Sequence, residues 1–152
     1  LSLRILTRKS KMGLLPVEKD ISKLLFEGKR AQHACRLFLN ELKLHNGLTR
    51  HELSKFAFDL ASGKLGCMYS RSRFYSEIRR TLISTGLLSL EGRFVRCEDM
   101  DLSPERKKCR LVVSKYVPVR QPIPKRPPDG LNLPRLIWIV CERWNRTFFE
   151  EA

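Results

Sequence analysis

The segment that most limits what this chain can become is LTRHELSKFAFDLASG, Leu48 to Gly63. Thr49 stands three positions before Glu52, the spacing of a capping box, in which each side chain bonds the other residue's backbone amide. Leu53, Phe56, Ala57 and Leu60 follow at i, i+3, i+4 and i+7. That is one apolar stripe on one helix face. Gly63 stops it, as a left-handed residue stops a helix. This is the most completely signalled helix in the chain, and it has a single face to bury.

Its neighbours continue the pattern. Pro16 suits the first position of a helix, and Val17, Ile21, Leu24 and Leu25 repeat at helical spacing until Gly28 interrupts. A second helix is expected from about Arg30 to His45, with Ala31, Ala34, Cys35, Phe38 and Leu42 inward and Asn46-Gly47 as its stop. After the capped helix, the connector GKLGCMYS leads to a helix over 72–85, which Gly86 ends. LLSL-EG-RFVRC then reads as two short strands around a Glu91-Gly92 turn. CRLVVSKYVPV is rich in β-branched residues and fits a further extended segment.

Six of the eight prolines fall between Pro118 and Pro134. Proline fixes φ and removes a donor, so 118–132 is expected to be an extended linker or arm. PRLIWIVCERWNRTFFEEA then predicts a last helix, with Leu133, Leu136 or Ile137, Val140, Trp144 and Phe148 as its stripe. Such a helix can dock on its own domain or on a second copy, so a homodimer through 133–149 and the covering of its own core are both open. The division is 1–16, a basic flexible arm; 17–117, the main domain; 118–132, the linker; 133–152, the terminal helix.

Charge bounds the partners. Thirty Lys and Arg face sixteen Asp and Glu, a net charge of +14. Such a surface attracts polyanions, nucleic acid first and an anionic membrane surface second. The longest apolar run, LIWIVC at 136–141, is far short of the roughly 20 residues of a membrane span, so a soluble chain is expected. Residues 1–17 carry Arg4, Arg8, Lys9 and Lys11 with no acid before Glu18. A flexible arm has this bias, as do an organellar transit segment and an upstream extension with Met12 as the start.

The five cysteines include no C-x-x-C, and the three histidines show no ligand spacing beside them. Neither a structural zinc nor any cofactor is expected. Reduced thiols in the cytoplasm, nucleoid or nucleus are the default, although Cys97 and Cys109 could bridge a loop. No phosphate-binding loop, dinucleotide fingerprint, nucleophile elbow or H-E-x-x-H occurs. Asp99 and Asp101 lack the third carboxylate that a metal-dependent nuclease site would want. No catalytic residue is assigned, and the chain is read as a non-enzyme.

The order helix, capped helix, connector, helix, hairpin resembles a winged helix-turn-helix domain. The resemblance runs from about Arg30 to Cys97, and RRTLISTGLLSLEGRFV is similar to the superfamily's recognition helix, glycine stop and wing. It implies a mainly α fold with a small β-hairpin wing, preceded by an N-terminal helix and followed by the proline-rich arm and helix. The connector SGKLGCMYS departs from the usual turn of about 3–4 residues.

At about 100° per residue, Phe74, Ile78, Leu82 and Thr85 share one side of the expected helix. Arg73, Ser76 and Arg80 lie opposite, flanked by Ser72 and Arg79, with Arg71 just before the helix. Arginine reads guanine edges in the major groove, and serine serves any base or a phosphate. Arg93 and Arg96 on the wing, 87–97, would reach phosphate or the minor groove. From Lys64 to Arg96 seven Lys and Arg meet two Glu. Tyr75 is expected to pack at the core edge. A second basic patch holds Arg106, Lys107, Lys108, Arg110, Lys125 and Arg126. The expected function is sequence-specific double-stranded DNA binding in transcriptional control. An RNA- or ribosome-associated protein and a protein-interaction module of a transcription or replication complex are the alternatives.

Overall fold

The computed structural model describes residues 20–95, 110–130 and 133–149. Expectations that rest on the basic arm, on Pro16, Arg96, Asp99 and Asp101, on the Cys97–Cys109 bridge, and on Arg106, Lys107 and Lys108 lie outside these residues.

Helix α1, Ile21–Leu25, is short and strongly capped. The Asp20 carboxylate accepts from the Ser22 amide at 3.0 Å and from its hydroxyl at 2.6 Å. Its second oxygen pairs with Arg36 at 2.9 Å, which ties α1 to α2, Lys29–His45. Burial opposes ionisation of Asp20, but the Ser22 bonds and Arg36 together hold its carboxyl below the ordinary range. Helix α2 buries Ala34, Cys35, Phe38, Leu39 and Leu42 and ends at Asn46 with φ of 52°. Gly47 follows at φ of 110°, where an added Cβ would stand 2.9 Å from the Tyr116 carbonyl oxygen.

Strand β1, Leu48–Thr49, leads directly into α3, Arg50–Ala61. The capping box is present in both directions. The Thr49 amide donates to Glu52 at 3.1 Å, and the Glu52 amide donates to the Thr49 hydroxyl at 3.2 Å. The stripe Leu53, Phe56, Ala57 and Leu60 is buried as the sequence predicts. The long connector, 62–70, folds as turns with Gly63 and Gly66 at positive φ. It buries Cys67 and Tyr69.

The next helix, α4, is not a regular α-helix. It comprises an α-helical turn Arg71–Arg73, a π-helical segment Phe74–Arg79 and an α-helical turn Arg80–Ser84. Phe74, Ile78 and Leu82 are fully buried, but Thr85 is exposed and Thr81 takes the inward place. Phe38 of α2, Phe56 of α3 and Phe74 of α4 meet with ring centroids 5.1–5.5 Å apart. Each such aromatic pair contributes about 0.5–1.5 kcal/mol beyond area burial.

The expected Glu91-Gly92 turn, and a wing confined to 87–97, are corrected. Leu88–Val95 is one continuous strand, β2, and its partner is β3, Arg110–Pro118. They pair antiparallel from Leu88 with Pro118 to Val95 with Arg110. The register shifts between Glu91, opposite Lys115, and Gly92, opposite Val113, so Ser114 is the extra residue of a β-bulge. Its hydroxyl donates to the Glu91 carbonyl at 3.0 Å. Gly92 is needed for close approach rather than for turning: a Cβ there would stand 2.2 Å from the Val112 carbonyl oxygen. On its other edge β3 pairs with β1, Leu48 opposite Tyr116, giving a three-stranded sheet in the order β1-β3-β2.

The proline segment is extended but is no free spacer. It lies along helix α5, Leu133–Phe148. The Trp144 indole donates to the Val119 carbonyl and the Trp138 indole to the Pro124 carbonyl, both at 2.9 Å. Asn145 accepts from the Gln121 amide and donates back to its carbonyl. Leu136, Ile139, Val140 and Trp144 join the core, Trp144 completely, and α5 packs on α1. Of the two, the stripe takes the second place: it is covered by the chain's own core. Ile139 belongs to it and Ile137, 40% exposed, does not.

The bulge makes a testable distinction between glycines. Gly92→Ala should destabilise the protein by about 1–3 kcal/mol, since the added carbon meets backbone. Gly86→Ala, at φ of 81° in open space, should cost only about 1 kcal/mol from φ strain. Urea denaturation of the two variants would compare them.

Candidate nucleic-acid interface

The Ser70 hydroxyl starts α4 by accepting from the Arg73 amide at 3.3 Å. With Phe74 and Ile78 fixed inward, the remaining side chains fall into columns four residues apart. A π turn takes more residues than an α turn, so these columns drift less around the axis. Arg71, Tyr75 and Arg79 form the first, Ser72, Ser76 and Arg80 the second, Arg73 and Glu77 the third.

The first column faces a cleft of about 790 Å³ between the start of α3, α4 and β3. Arg50, Ser54, Val112, Val113 and Tyr116 complete its polar and apolar walls. Arg79 lies with its guanidinium carbon 4.9 Å from the Tyr75 ring centroid. It also donates to the Tyr116 hydroxyl at 3.4 Å. The Arg71 guanidinium carbon stands 5.8 Å from the same Tyr75 ring centroid, and Arg71 donates to Ser54 at 3.4 Å. The second column opens on a shallower cleft of about 670 Å³, between α4 and β2, lined also by Tyr75 and Arg79 and by Ile83, Ser84 and Leu90. Among the described residues no acid lines either cleft.

The third column turns away. Arg73 donates to both Glu77 oxygens at 3.3 Å and sits 4.9 Å from the Tyr69 ring centroid. The buried Tyr69 hydroxyl donates to Glu77 as well. That bond, aided by Arg73 against partial burial, holds the Glu77 carboxyl below its usual range. Burial first, then the same carboxylate, raises the Tyr69 phenol. The group pins the connector to α4.

Of the predicted site residues, the fold thus gathers Arg71, Ser72, Ser76, Arg79 and Arg80 around two adjoining clefts. Arg73 lines neither of them; it is paired with Glu77 at i+4 and stays half exposed. Arg93 is exposed on β2 but lines neither cleft. Arg110 opens β3, while Lys125 and Arg126 are exposed on the proline segment. Arg50 and Tyr116 were not foreseen. Arg50 is the first residue after the Thr49 cap, so its place at a helix start was readable; Tyr116 comes from a strand distant in sequence. Among the described residues no three His, Cys, Asp or Glu side chains converge on a metal-sized site. No helix of these residues is long and apolar enough to cross a membrane.

No protein-family model matches the chain, and neither a curated protein nor a solved structure does.

The Tyr69–Glu77–Arg73 group carries a pH signature. Because the folded Glu77 pKa is lowered, its stabilisation is present above the ordinary value of about 4.3 and is lost as pH falls through the folded value. Glu77→Gln should therefore flatten the acid limb of a stability–pH curve measured by urea denaturation. Tyr69→Phe, which keeps the buried ring, should cost about 1 kcal/mol at neutral pH.

Proposed function

We propose that the protein binds double-stranded DNA, with α4 in the major groove and the β2–β3 hairpin against the adjacent backbone, as a winged helix-turn-helix domain does. Transcriptional control is the role this reading favours. The observation that carries it is the outward column Ser72, Ser76 and Arg80 beside the arginines of the first cleft, with no carboxylate among them. An α-helix with its side chains is about 10–12 Å across, which matches a major groove about 12 Å wide.

The order of elements supports the same reading. Three helices, α2, α3 and α4, precede the hairpin, and β1, set between the first two, closes the sheet against β3. In helix-turn-helix domains the first part of the recognition helix meets base edges. Here that part offers Ser72 and Ser76, with Arg80 a turn further on. Arg80 makes no hydrogen bond or ion pair among the described residues, so its planar fork is available for a guanine edge. The surplus of basic charge over the whole chain supplies the sequence-independent attraction that precedes recognition.

Selection of bound sequences from a random duplex pool should return a preferred site. On that site Arg80→Ala should lose about 1–3 kcal/mol, and much less on random duplex. Equal loss on both would reduce Arg80 to a phosphate contact. Stronger binding to structured RNA than to any duplex at matched salt would overturn the DNA reading.

A further inference from the structure

We infer that the cleft between the start of α3, α4 and strand β3 is a seat for a phosphate oxyanion, gripped by Arg50, Arg71 and Arg79. As a contact to DNA it rests on the reading above; as an oxyanion seat it can fail by itself. Three guanidinium groups come from two helices and line one concavity, with no acid among the described residues of its wall. Such a concentration of like charge is unfavourable until an anion enters. Leu53, Val112 and Val113 form an apolar part of the wall, and a less polar surround strengthens a charged hydrogen bond.

Arg79 is the built element. The Tyr75 face fixes its plane and the Tyr116 hydroxyl takes one of its Nη1 protons. Its Nε is buried. A guanidinium held in this way loses little freedom when it binds, which favours affinity. Arg71 makes a long bond to Ser54 and a distant contact with the Tyr75 ring, and Arg50 is exposed without a partner among the described residues. The hydroxyls of Ser54, Ser72 and Tyr116 stand in the same wall as further donors.

The chemistry favours phosphate over carboxylate. A carboxylate presents two oxygens in one plane and one charge. Three guanidinium forks arriving from different elements need oxygens in several directions, which a tetrahedral phosphate supplies. The source can be a diester of a nucleic-acid strand or a free oligophosphate. On the DNA reading the cleft anchors the backbone while Ser76 and Arg80 of the neighbouring column face the bases. Positioning and reading would then lie on adjacent columns of one helix.

The test uses the full chain with two probes, tripolyphosphate and a short mixed-sequence duplex. Calorimetry follows the first, and fluorescence anisotropy at several salt concentrations follows the second. Arg79→Gln and Arg50→Gln should each weaken binding about tenfold, the worth of one charged hydrogen-bonding group. Each should also lower the salt slope on duplex by about one contact. Arg79→Lys, which keeps the charge and loses the fork, should fall between. Lys55→Gln, on the exposed side of α3, removes an equal charge outside the cleft and should change affinity far less. Arg50 is exposed, so its variant keeps the test decisive if Arg79→Gln fails to fold. Loss on both probes supports the seat, and loss on duplex alone assigns it to strand phosphate. Loss on tripolyphosphate, with no duplex bound by the unaltered protein, keeps the seat and removes the DNA reading. Duplex binding that the cleft variants share with Lys55→Gln removes the seat and leaves the DNA reading. Binding of neither probe removes both.

Discussion

The meeting of Phe38, Phe56 and Phe74 is the contact on which the rest depends. Each ring comes from a different helix, and each is almost wholly out of water. With only one large ring per helix at the centre, none of the three helices can rotate without opening a void, and voids are costly in a close-packed interior. Phe74 matters most for function because it begins the π-helical part of α4. Fixing it inward sets Tyr75 and Arg79 on the ridge between the two clefts, Ser76 and Arg80 toward the second, and Glu77 toward the connector.

Around this centre, short-range and long-range devices divide the work. The capping box at Thr49 and Glu52 sets where α3 starts, using bonds made within one turn. Hydrogen bonds from Thr49 keep the Glu52 carboxyl ionised below its ordinary range, so the cap persists under mild acid. The same Thr49 belongs to β1 and faces Lys115 across the sheet. Helix start and sheet edge are thus one residue, and α3 is placed against β3 by backbone pairing as well as by packing. At the far end, Trp144 fills the core and bonds the chain where it leaves β3, so α5 closes the same body that α1 opens.

What the sequence made legible follows the range of the interactions. The α3 stripe and its cap are local, and they were read correctly to the residue. Asn46 and Gly47 likewise announced their turn. Glu91-Gly92 misled because glycine serves a tight turn and a close backbone approach equally well, and the partner that demands it, Val112, lies on a strand distant in sequence. Arg73 shows a related limit. A helical wheel at α-helical period groups it with Ser76 and Arg80, and it does share a groove with Ser76, but its pairing with Glu77 and its stacking on Tyr69 could not be read from the wheel. The proline segment gave its extended conformation away, yet the bonds from Trp138, Trp144 and Asn145 that strap it down could not be paired from sequence. Arg50 carried no periodic signal at all, and Tyr116 enters the cleft only through the strand register.

The bulge at Ser114 has a consequence for how this surface can vary. Strand β3 is held on both edges near Tyr116, by Leu48 on one side and Leu90 on the other. Beyond Ser114 it is paired with β2 alone. A side-chain alternation of period two would ordinarily couple the whole strand, so that a slip anywhere reverses every face. The extra residue breaks that alternation midway, with Val113 as well as Val112 and Tyr116 reaching the cleft wall. The outer hairpin can therefore lengthen, shorten or change its outward residues while Tyr116 keeps its hydroxyl on Arg79. The bulge works as a phase break between a constant anchoring half and a half that is free to diverge.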